Sequence, residues 1–391
     1  MTRGTSETAE PEFRVREVKQ QRRLNKELKL LDVYAIATGT TLSAGFFLLP
    51  GIAAEQAGPA MILAYVIAAI PLIPAMFSIV ELATAMPRAG GVYYFLDRTL
   101  GPVTGMIGGL GTWLALILKV AFALIGMGAY IGLFFPEIPI TPIALIVAVA
   151  LGALNILGAG KSSRFQVFLV MFLLAVLVVF LAGGSMQVDV GRFAGFFDSG
   201  TTALLSTSGL VYISYVGVTK VASLSEEVQN PERNLPLGVF LALGSAILIY
   251  VLGTTIMVGV LPMNELAGSL TPVAATAEKF FGTPGVVFVT LAALAAFISV
   301  SNAGMLSASR YPLAMARDHL MPRIFYRLSR RGTPIVSILS TLAIVILILL
   351  FLDPAGIAKL ASAFQLMMFA LVSLAVIVMR ESRIESYDPG Y

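Results

Sequence analysis

The sequence contains no cysteine, a single histidine and few charged residues. The absence of cysteine excludes disulfides and thiolate metal sites. The one histidine, His319, lies in the polar stretch RDHLMPR, which disfavours histidine-based catalysis in an apolar interior. There is also no phosphate-binding loop and no metal-ligand motif such as H-E-x-x-H. We therefore predict that the protein is not an enzyme and uses no cofactor.

The shortage of charge is the strongest compositional signal. Only 12% of the 391 residues are charged, whereas 58% are hydrophobic. A soluble domain has about 25% charged residues, too many to match this chain. Apolar runs of roughly 20 residues, enough to cross a hydrocarbon core of about 30 Å, recur from Leu28 to Met379. This composition indicates an integral membrane protein, whose partner is the lipid bilayer and not nucleic acid.

Hydrophobic length and the punctuation by glycine, proline and charge predict ten transmembrane spans. All should be helices, because a helix satisfies its own backbone hydrogen bonds in lipid. The polar segment 1–27 lacks the apolar core of a signal peptide and is predicted to be a tail. The ten predicted spans are residues 28–56, 59–86, 102–135, 141–157, 164–184, 202–229, 234–261, 284–312, 334–352 and 354–379.

Positive charge is distributed unevenly among the segments between these spans. Most of the 26 lysines and arginines fall in the two terminal segments and in alternate loops. Such residues accumulate on the cytoplasmic side of membrane proteins. We therefore predict a multi-pass protein of the cell (plasma or inner) membrane with both termini in the cytoplasm.

Two of the predicted spans carry helix-breaking residues near their middles. The first contains ATGTTLSAGFFLLPG (residues 37–51), and the sixth is interrupted around SYVGVTK (residues 214–220). If residues 28–184 and 202–379 form two repeats of five spans, the second repeat is inverted relative to the first. Interrupted helices at matching positions of inverted repeats are typical of the binding site of a secondary transporter. Non-helical backbone at this depth is tolerated where it lines a cavity; a glycine-rich packing face is the alternative.

Four segments strengthen this interpretation when taken together and in order. They are TTLSAGFFLLPG (40–51), ELATAMPRAGGVYYFLDRTLGP (81–102), YVGVTKVASLSEEVQNPERNLP (215–236) and SASRYPLAMARDHLMP (307–322). The chain from about residue 26 to 379 thereby resembles the amino acid–polyamine–organocation (APC) transporter family. The resemblance implies the all-α, five-plus-five inverted-repeat fold of the leucine transporter, with broken helices 1 and 6, working by alternating access.

The chain also departs from that family. Members usually have twelve spans, and residues 380–391 resemble the linker before the eleventh; whether helices 11 and 12 follow stays open. The first break reads Ser43, Ala44, Gly45 where the family usually has Gly-Ser-Gly or Gly-Ala-Gly. Residues 165–180 lack the lysine that some proton-coupled relatives carry in span 5. Thr219 and Lys220 follow the sixth-helix glycine, where an acidic residue is common.

Two lysines fall within predicted spans. Lys119 lies near the middle of the third, too far from either end to reach water, and Lys220 lies just beyond the sixth-helix glycine. A central lysine costs about 3 kcal/mol on insertion scales, so it should face a cavity. No acidic residue lies at matching depth. The lysines are therefore neutral through desolvation and able to exchange a proton, or are balanced by carbonyls or by the substrate; a purely structural lysine is the alternative.

These considerations define a predicted site. A substrate carboxylate should meet backbone amides near residues 43–46, and its amino group should meet carbonyls near residues 212–217. The predicted substrate contacts are Thr40, Thr41, Ser43, Ala44, Gly45, Phe46, Tyr212, Tyr215, Gly217 and Thr219. The predicted coupling residues are Lys119 and Lys220. The predicted gate residues are the aromatic Tyr215 and Trp113 and the charged Glu81, Arg88 and Glu226. Ser299 and Ser301 are weak sodium candidates, and no other metal site is predicted.

The predicted function is secondary active transport of amino acids by alternating access, with protons as a further partner if Lys119 couples. Small neutral or acidic amino acids are favoured, because no acidic side chain near the breaks could receive a cationic substrate. Two alternatives stay open. One is a cation–chloride type ion transporter of the same superfamily, and the other is a sensor that binds ligand without moving it.

Overall fold

The computed structural model describes residues 28–86, 91–157, 163–217, 228–329, 333–382 and 387. The side chains of residues 163–166 are outside this description. The described residues are mostly helical and contain no strand; Leu28 and Val228 form an isolated parallel bridge.

The helices follow one another with short connections. They are α1 (Leu30–Thr41), α2 (Ala44–Phe47), α3 (Leu49–Ala57), α4 (Met61–Ala69), α5 (Leu72–Ala85), α6 (Gly91–Leu100), α7 (Pro102–Gly132), α8 (Ile140–Leu157), α9 (Ser163–Ser185), α10 (Gly200–Val211), α11 (Pro231–Val260), α12 (Met263–Leu266), α13 (Pro272–Arg317), α14 (Ile335–Phe351) and α15 (Pro354–Glu381). Short 3₁₀ turns occur at Gly58–Ala60, Val190–Phe193 and Arg323–Tyr326.

The apolar spans correspond closely to these helices. Helices α7, α8, α9, α11, α14 and α15 begin and end within a few residues of predicted spans. Helix α13 contains the eighth span but starts earlier, and a turn at Gly282 (φ 59°) separates its first part from the rest. The sequence did not predict that first part, nor α6, because neither is long and apolar enough to cross a membrane.

Seven helical stretches in the described residues are long and apolar enough to cross a membrane. This confirms the all-α membrane class. The count of ten is not confirmed, because the first span is divided among α1, α2 and α3, α10 has 12 residues and α14 has 17. The ten-span count, the orientation and the division into repeats 28–184 and 202–379 stay predictions.

Helix α7 lies at the centre of the described fold and is buried along most of its length. Its glycines allow neighbouring helices to approach. A Cβ on Gly111 would lie 2.7 Å from the Met368 methyl group of α15, and one on Gly126 would lie 2.6 Å from the Phe297 ring of α13. Small residues permit this close packing between membrane helices. Lys119 lies between these two contacts.

Candidate functional site at two helix breaks

The first break lies where the sequence predicts it. Helix α1 ends at Thr41, and Leu42 (φ −77°, ψ 72°) and Ser43 (φ −133°, ψ −121°) leave the helical conformation. The chain becomes helical again at Ala44. Thr41 and Ser43 are completely buried, so this irregular backbone is enclosed by protein and not exposed to lipid.

The second break follows α10. The α-helix ends at Val211, and residues 212–217 tighten into a 3₁₀ turn. The Ile213 N–H donates to Ser362 Oγ of α15 (3.0 Å), and that hydroxyl donates to the Leu210 carbonyl (3.0 Å). One serine thus satisfies two backbone groups that a regular helix would pair internally. Thr219, Lys220 and Glu226, predicted to follow this break, lie outside the described residues.

The two breaks pack directly on each other through glycine. A Cβ on Gly45 would lie 2.6 Å from Ser214 Cβ, and one on Gly217 would lie 2.2 Å from the carbonyl carbon of Thr40. Thr40 Oγ1 also donates a hydrogen bond to the Gly217 carbonyl (2.8 Å). Segments far apart in the sequence are therefore brought together as the sequence predicts.

A tyrosine bridges the two breaks. The Tyr250 hydroxyl of α11 lies 2.8 Å from the Thr41 carbonyl oxygen and 3.1 Å from the Ser214 carbonyl oxygen. The first carbonyl belongs to the first break and the second to the sixth-span break. Tyr250 is completely buried. The sequence analysis did not single it out, although a tyrosine inside an apolar span needs a buried partner for its hydroxyl.

Two further tyrosines support the backbone that follows the first break. Tyr65 of α4 donates to the Gly45 carbonyl, and Tyr130 of α7 donates to the Phe47 carbonyl, both at 2.9 Å. Phenol groups from three scaffold helices thus satisfy carbonyls that irregular backbone would otherwise leave unpaired.

Some buried hydroxyls at the breaks have no partner in the structure as described. They are Ser43 Oγ in the first break, Tyr212 OH in the second, and Thr38 Oγ1 one turn before the first. Buried polar groups are normally paired, and each unpaired one costs about 1–3 kcal/mol. The breaks therefore hold hydrogen-bonding capacity that a small polar ligand could use.

Aromatic rings surround the short helix α2. Phe46, a predicted substrate contact, packs edge-on against Phe47 (ring centroids 5.4 Å apart) and Phe180 (6.2 Å). Phe47 packs in turn against Phe297 of α13 (6.1 Å). Gly253 of α11 makes room for Phe46, since a Cβ there would lie 2.3 Å from the ring. The structure places Phe46 in an apolar wall beside the break.

The predicted aromatic gate residues lie in different places. Tyr215 is buried at the sixth-span break, where its hydroxyl donates to the Tyr65 carbonyl (2.9 Å) and its ring packs edge-on against Tyr250. Trp113 donates its ring N–H to Thr341 Oγ1 of α14 (3.1 Å). Tyr215 is thus part of the break region, and the polar group of Trp113 is held by α14.

Lys119 and the two serines of α13 also separate. Lys119 is 4% exposed near the middle of α7. Ser301 is fully buried, whereas Ser299 is partly exposed. Residues two apart in a helix do not share a face, so the two hydroxyls are not brought together. Among the described residues no group of three His, Cys, Asp or Glu could hold a metal ion.

An ion pair lies near the helix ends predicted to face the cytoplasm. Glu81 of α5 is 3% exposed and accepts hydrogen bonds from Arg380 Nε of α15 (2.8 Å) and from the Tyr387 hydroxyl (2.8 Å). Arg380 Nη2 donates to the second carboxylate oxygen. The partners predicted for Glu81, Arg88 and Glu226, lie outside the described residues.

Burial and the Glu81 hydrogen bond raise the pKa of the Tyr387 phenol, which therefore stays protonated and donates at neutral pH. A second contact nearby joins the Tyr93 hydroxyl of α6 to Asp318 (2.6 Å). Sequence reasoning missed Arg380, Tyr387 and Tyr93 because their partners are far away along the chain.

Comparison with known proteins identifies the family. The amino acid permease family model matches residues 32–386. The branched-chain amino acid permease BcaP of Bacillus subtilis (strain 168) is 28% identical over 386 residues, covering 93% of this chain and 83% of that protein.

Other relatives differ in the substrate that their names give. The vacuolar cationic amino acid transporter 4 of Arabidopsis thaliana is 29% identical over 388 residues, which cover 91% of this chain and 64% of that protein, so the chain spans less than two thirds of that relative. The methylthioribose transporter of Bacillus subtilis (strain 168) is 26% identical, covering 93% of this chain and 83% of its own. The chain belongs to the amino acid permease family of the APC superfamily, a family of multi-pass membrane transporters and not of enzymes.

Proposed function

We propose that the protein moves amino acids across the membrane by secondary active transport and binds them between the two helix breaks. One observation carries the proposal. Two buried breaks from distant parts of the chain touch through Gly45 and Gly217, and they leave the hydroxyls of Ser43 and Tyr212 unpaired. The amino acid transporters among the relatives support the same substrate class.

The chemistry of the breaks suits a zwitterion. Helical structure resumes at Ala44, and the amino-terminal turn of a helix favours an anion such as a carboxylate. The carboxylate is proposed to lie beside Ser43, Ala44 and Gly45. The ammonium group is proposed to lie where α10 ends, near Tyr212, because the last carbonyls of a helix carry partial negative charge.

The remaining predicted contacts receive more limited roles in this proposal. Thr40 and Gly217 bond each other, so they hold the breaks together and form a wall of the site. Carbonyl oxygens can accept two hydrogen bonds, so Thr41 O keeps acceptor capacity beside Tyr250. Phe46 provides an apolar surface for the substrate side chain.

Neutral amino acids are the favoured substrates. Neither residues 37–51 nor residues 204–217 contain an aspartate or glutamate. A cationic side chain would enter this site without a counter-charge from either break, at a considerable desolvation cost. Small neutral or acidic amino acids therefore remain the proposal, even though one relative is named for cationic substrates.

Alternating access requires that the closed site open to each side in turn. The residues of both breaks are buried in this conformation. We assign the inner gate to the contact of Glu81 with Arg380 and Tyr387, because it joins α5 to α15 and to the segment after it. Tyr215 is the aromatic element of the gate nearest the breaks.

Lys119 is proposed to couple transport to a proton gradient. It is buried at the level of the fold where α7 packs against both α13 and α15. Desolvation there disfavours the charged form, so a change in hydration during the transport cycle would change its protonation. Lys220 is retained as a second candidate from the sequence.

The test is uptake of labelled alanine, leucine, glutamate and lysine into proteoliposomes. An inward proton gradient, an inward sodium gradient and no gradient are compared, with protein shown to be monodisperse as the folding control. The proposal predicts uptake of alanine or leucine that the proton gradient stimulates. Chloride flux without amino acid uptake would favour the ion transporter, and amino acid binding without flux would favour the sensor.

A further inference from the structure

We propose that Tyr250 is a positioning residue that holds the two helix breaks in register for substrate binding. The inference rests on the proposed site between the breaks and goes beyond it, since Tyr250 lies on α11, outside both breaks. The residue acts on the site through the backbone carbonyls of Thr41 and Ser214.

The geometry ties one hydroxyl to two separate segments. The Tyr250 oxygen lies 2.8 Å from Thr41 O and 3.1 Å from Ser214 O. A phenol carries a single proton, so it donates to one of these carbonyls at a time. Both carbonyls stay within reach only while the two breaks keep their relative position. Separation of the breaks would leave one of the two carbonyls without this donor.

The ring that carries this hydroxyl is itself fixed. Tyr65 stacks on Tyr250 with centroids 5.1 Å apart and an interplanar angle of 26°, and Tyr215 packs edge-on at 5.1 Å. Tyr215 donates to the Tyr65 carbonyl, and Tyr65 donates to the Gly45 carbonyl. Tyr65, Tyr215 and Tyr250 form a tyrosine cluster that contacts both breaks. The Tyr250 hydroxyl therefore cannot follow one break away from the other without disturbing this cluster.

A fixed register matters because a substrate must bind both breaks at once. If the breaks sample several relative positions, only a fraction of the molecules can bind, and the apparent dissociation constant rises by the inverse of that fraction. The maximal rate depends on opening and closing steps that the hydroxyl does not itself carry out. Loss of the hydroxyl should therefore raise KM with little change in kcat.

The first arm of the experiment is Tyr250→Phe, which keeps the ring. Its matched control is Tyr130→Phe, which also loses a buried phenol bonded to a backbone carbonyl, but one that contacts the first span alone. We expect Tyr250→Phe to raise the KM for amino acid uptake about five-fold, the usual size for one lost hydrogen bond. Its kcat should stay within about two-fold of the wild type, and Tyr130→Phe should leave KM unchanged.

The second arm needs no substrate. Amide hydrogen exchange is followed in peptides covering residues 38–48 and 208–217. Tyr250→Phe should speed exchange in both peptides, and Tyr130→Phe should speed it in the first alone. If wild-type protein takes up no amino acid, the proposed function fails while this arm still decides whether Tyr250 joins the breaks.

Two results would overturn the inference. The first is that Tyr250→Phe speeds exchange in neither peptide or in one alone, as its control does. The second is faster exchange in both peptides with an unchanged KM in an active transporter, which would leave Tyr250 a structural role only.

Discussion

At the scale of single residues, two glycines decide whether the breaks can meet. A Cβ on Gly45 would press against a side-chain atom of Ser214, whereas one on Gly217 would lie 2.2 Å from both the carbonyl carbon and the carbonyl oxygen of Thr40. A side chain can shift aside more easily than backbone in a close-packed interior. Gly217 is therefore the less replaceable of the two.

Substitution of Gly217 by alanine should abolish transport and lower the melting temperature, because it forces the breaks apart. Proteoliposome uptake and thermal unfolding of the purified protein measure the two effects. The matched control is Gly244→Ala in α11, where an added Cβ meets nothing within 4 Å. Alanine stabilises a helix by up to about 1 kcal/mol over glycine, so this control should be at least as stable as wild type. Normal uptake by Gly217→Ala would refute the contact.

Lys119 supplies a second prediction at this scale. Lys119→Met removes the proton site but keeps an unbranched apolar chain, and we expect it to lose gradient-driven uptake while retaining exchange of internal for external substrate. Lys119→Arg should behave alike, since arginine stays charged at all accessible pH values. Lys359→Met, at an exposed lysine of α15, is the control. The coupling role is wrong if Lys119→Met shows the gradient dependence of the wild type.

At the scale of elements, the sequence was sufficient where lipid imposes a length. Spans such as α7 and α11 could be predicted because a crossing needs about 20 apolar residues. The break at Ser43 was visible because glycine and hydroxyl residues concentrate there. Amphipathic α6 and the first part of α13 obey no such rule and were missed.

The contacts of the site could be predicted less well than its position. Glycines and hydroxyls mark where a helix is interrupted, but they do not say which distant group satisfies the freed carbonyls. Tyr250 and Tyr65 take that role because of how α11 and α4 pack against the breaks. The partner of Glu81 depends likewise on where α15 ends.

The Glu81–Arg380 pair is the element-scale prediction. Glu81→Gln and Arg380→Gln should each destabilise the protein by roughly 1–2 kcal/mol, between the values for exposed and buried ion pairs. The double substitution should cost little more than either alone, because residues that interact are not additive. Thermal unfolding of the four proteins provides the cycle. Strictly additive effects would show that α5 and α15 are not coupled through this pair.

At the scale of the whole molecule, orientation remains a prediction from charge. The absence of native cysteine makes every introduced cysteine a unique probe. Ser382→Cys, after α15, and Ser199→Cys, before α10, are both at exposed positions. A membrane-impermeant maleimide added to intact cells should label Ser199→Cys alone, and should label Ser382→Cys only after the membrane is opened. The reverse pattern would invert the topology.

The central claim, that substrate binds between the breaks, is tested most directly by protection of a cysteine placed there. Ser43→Cys would be treated with a small thiol reagent in proteoliposomes, with and without saturating amino acid, and uptake measured after washing. Our account predicts that the reagent abolishes uptake and that a transported amino acid prevents this, whereas a non-transported one does not. Inactivation that proceeds equally fast with and without substrate would contradict it.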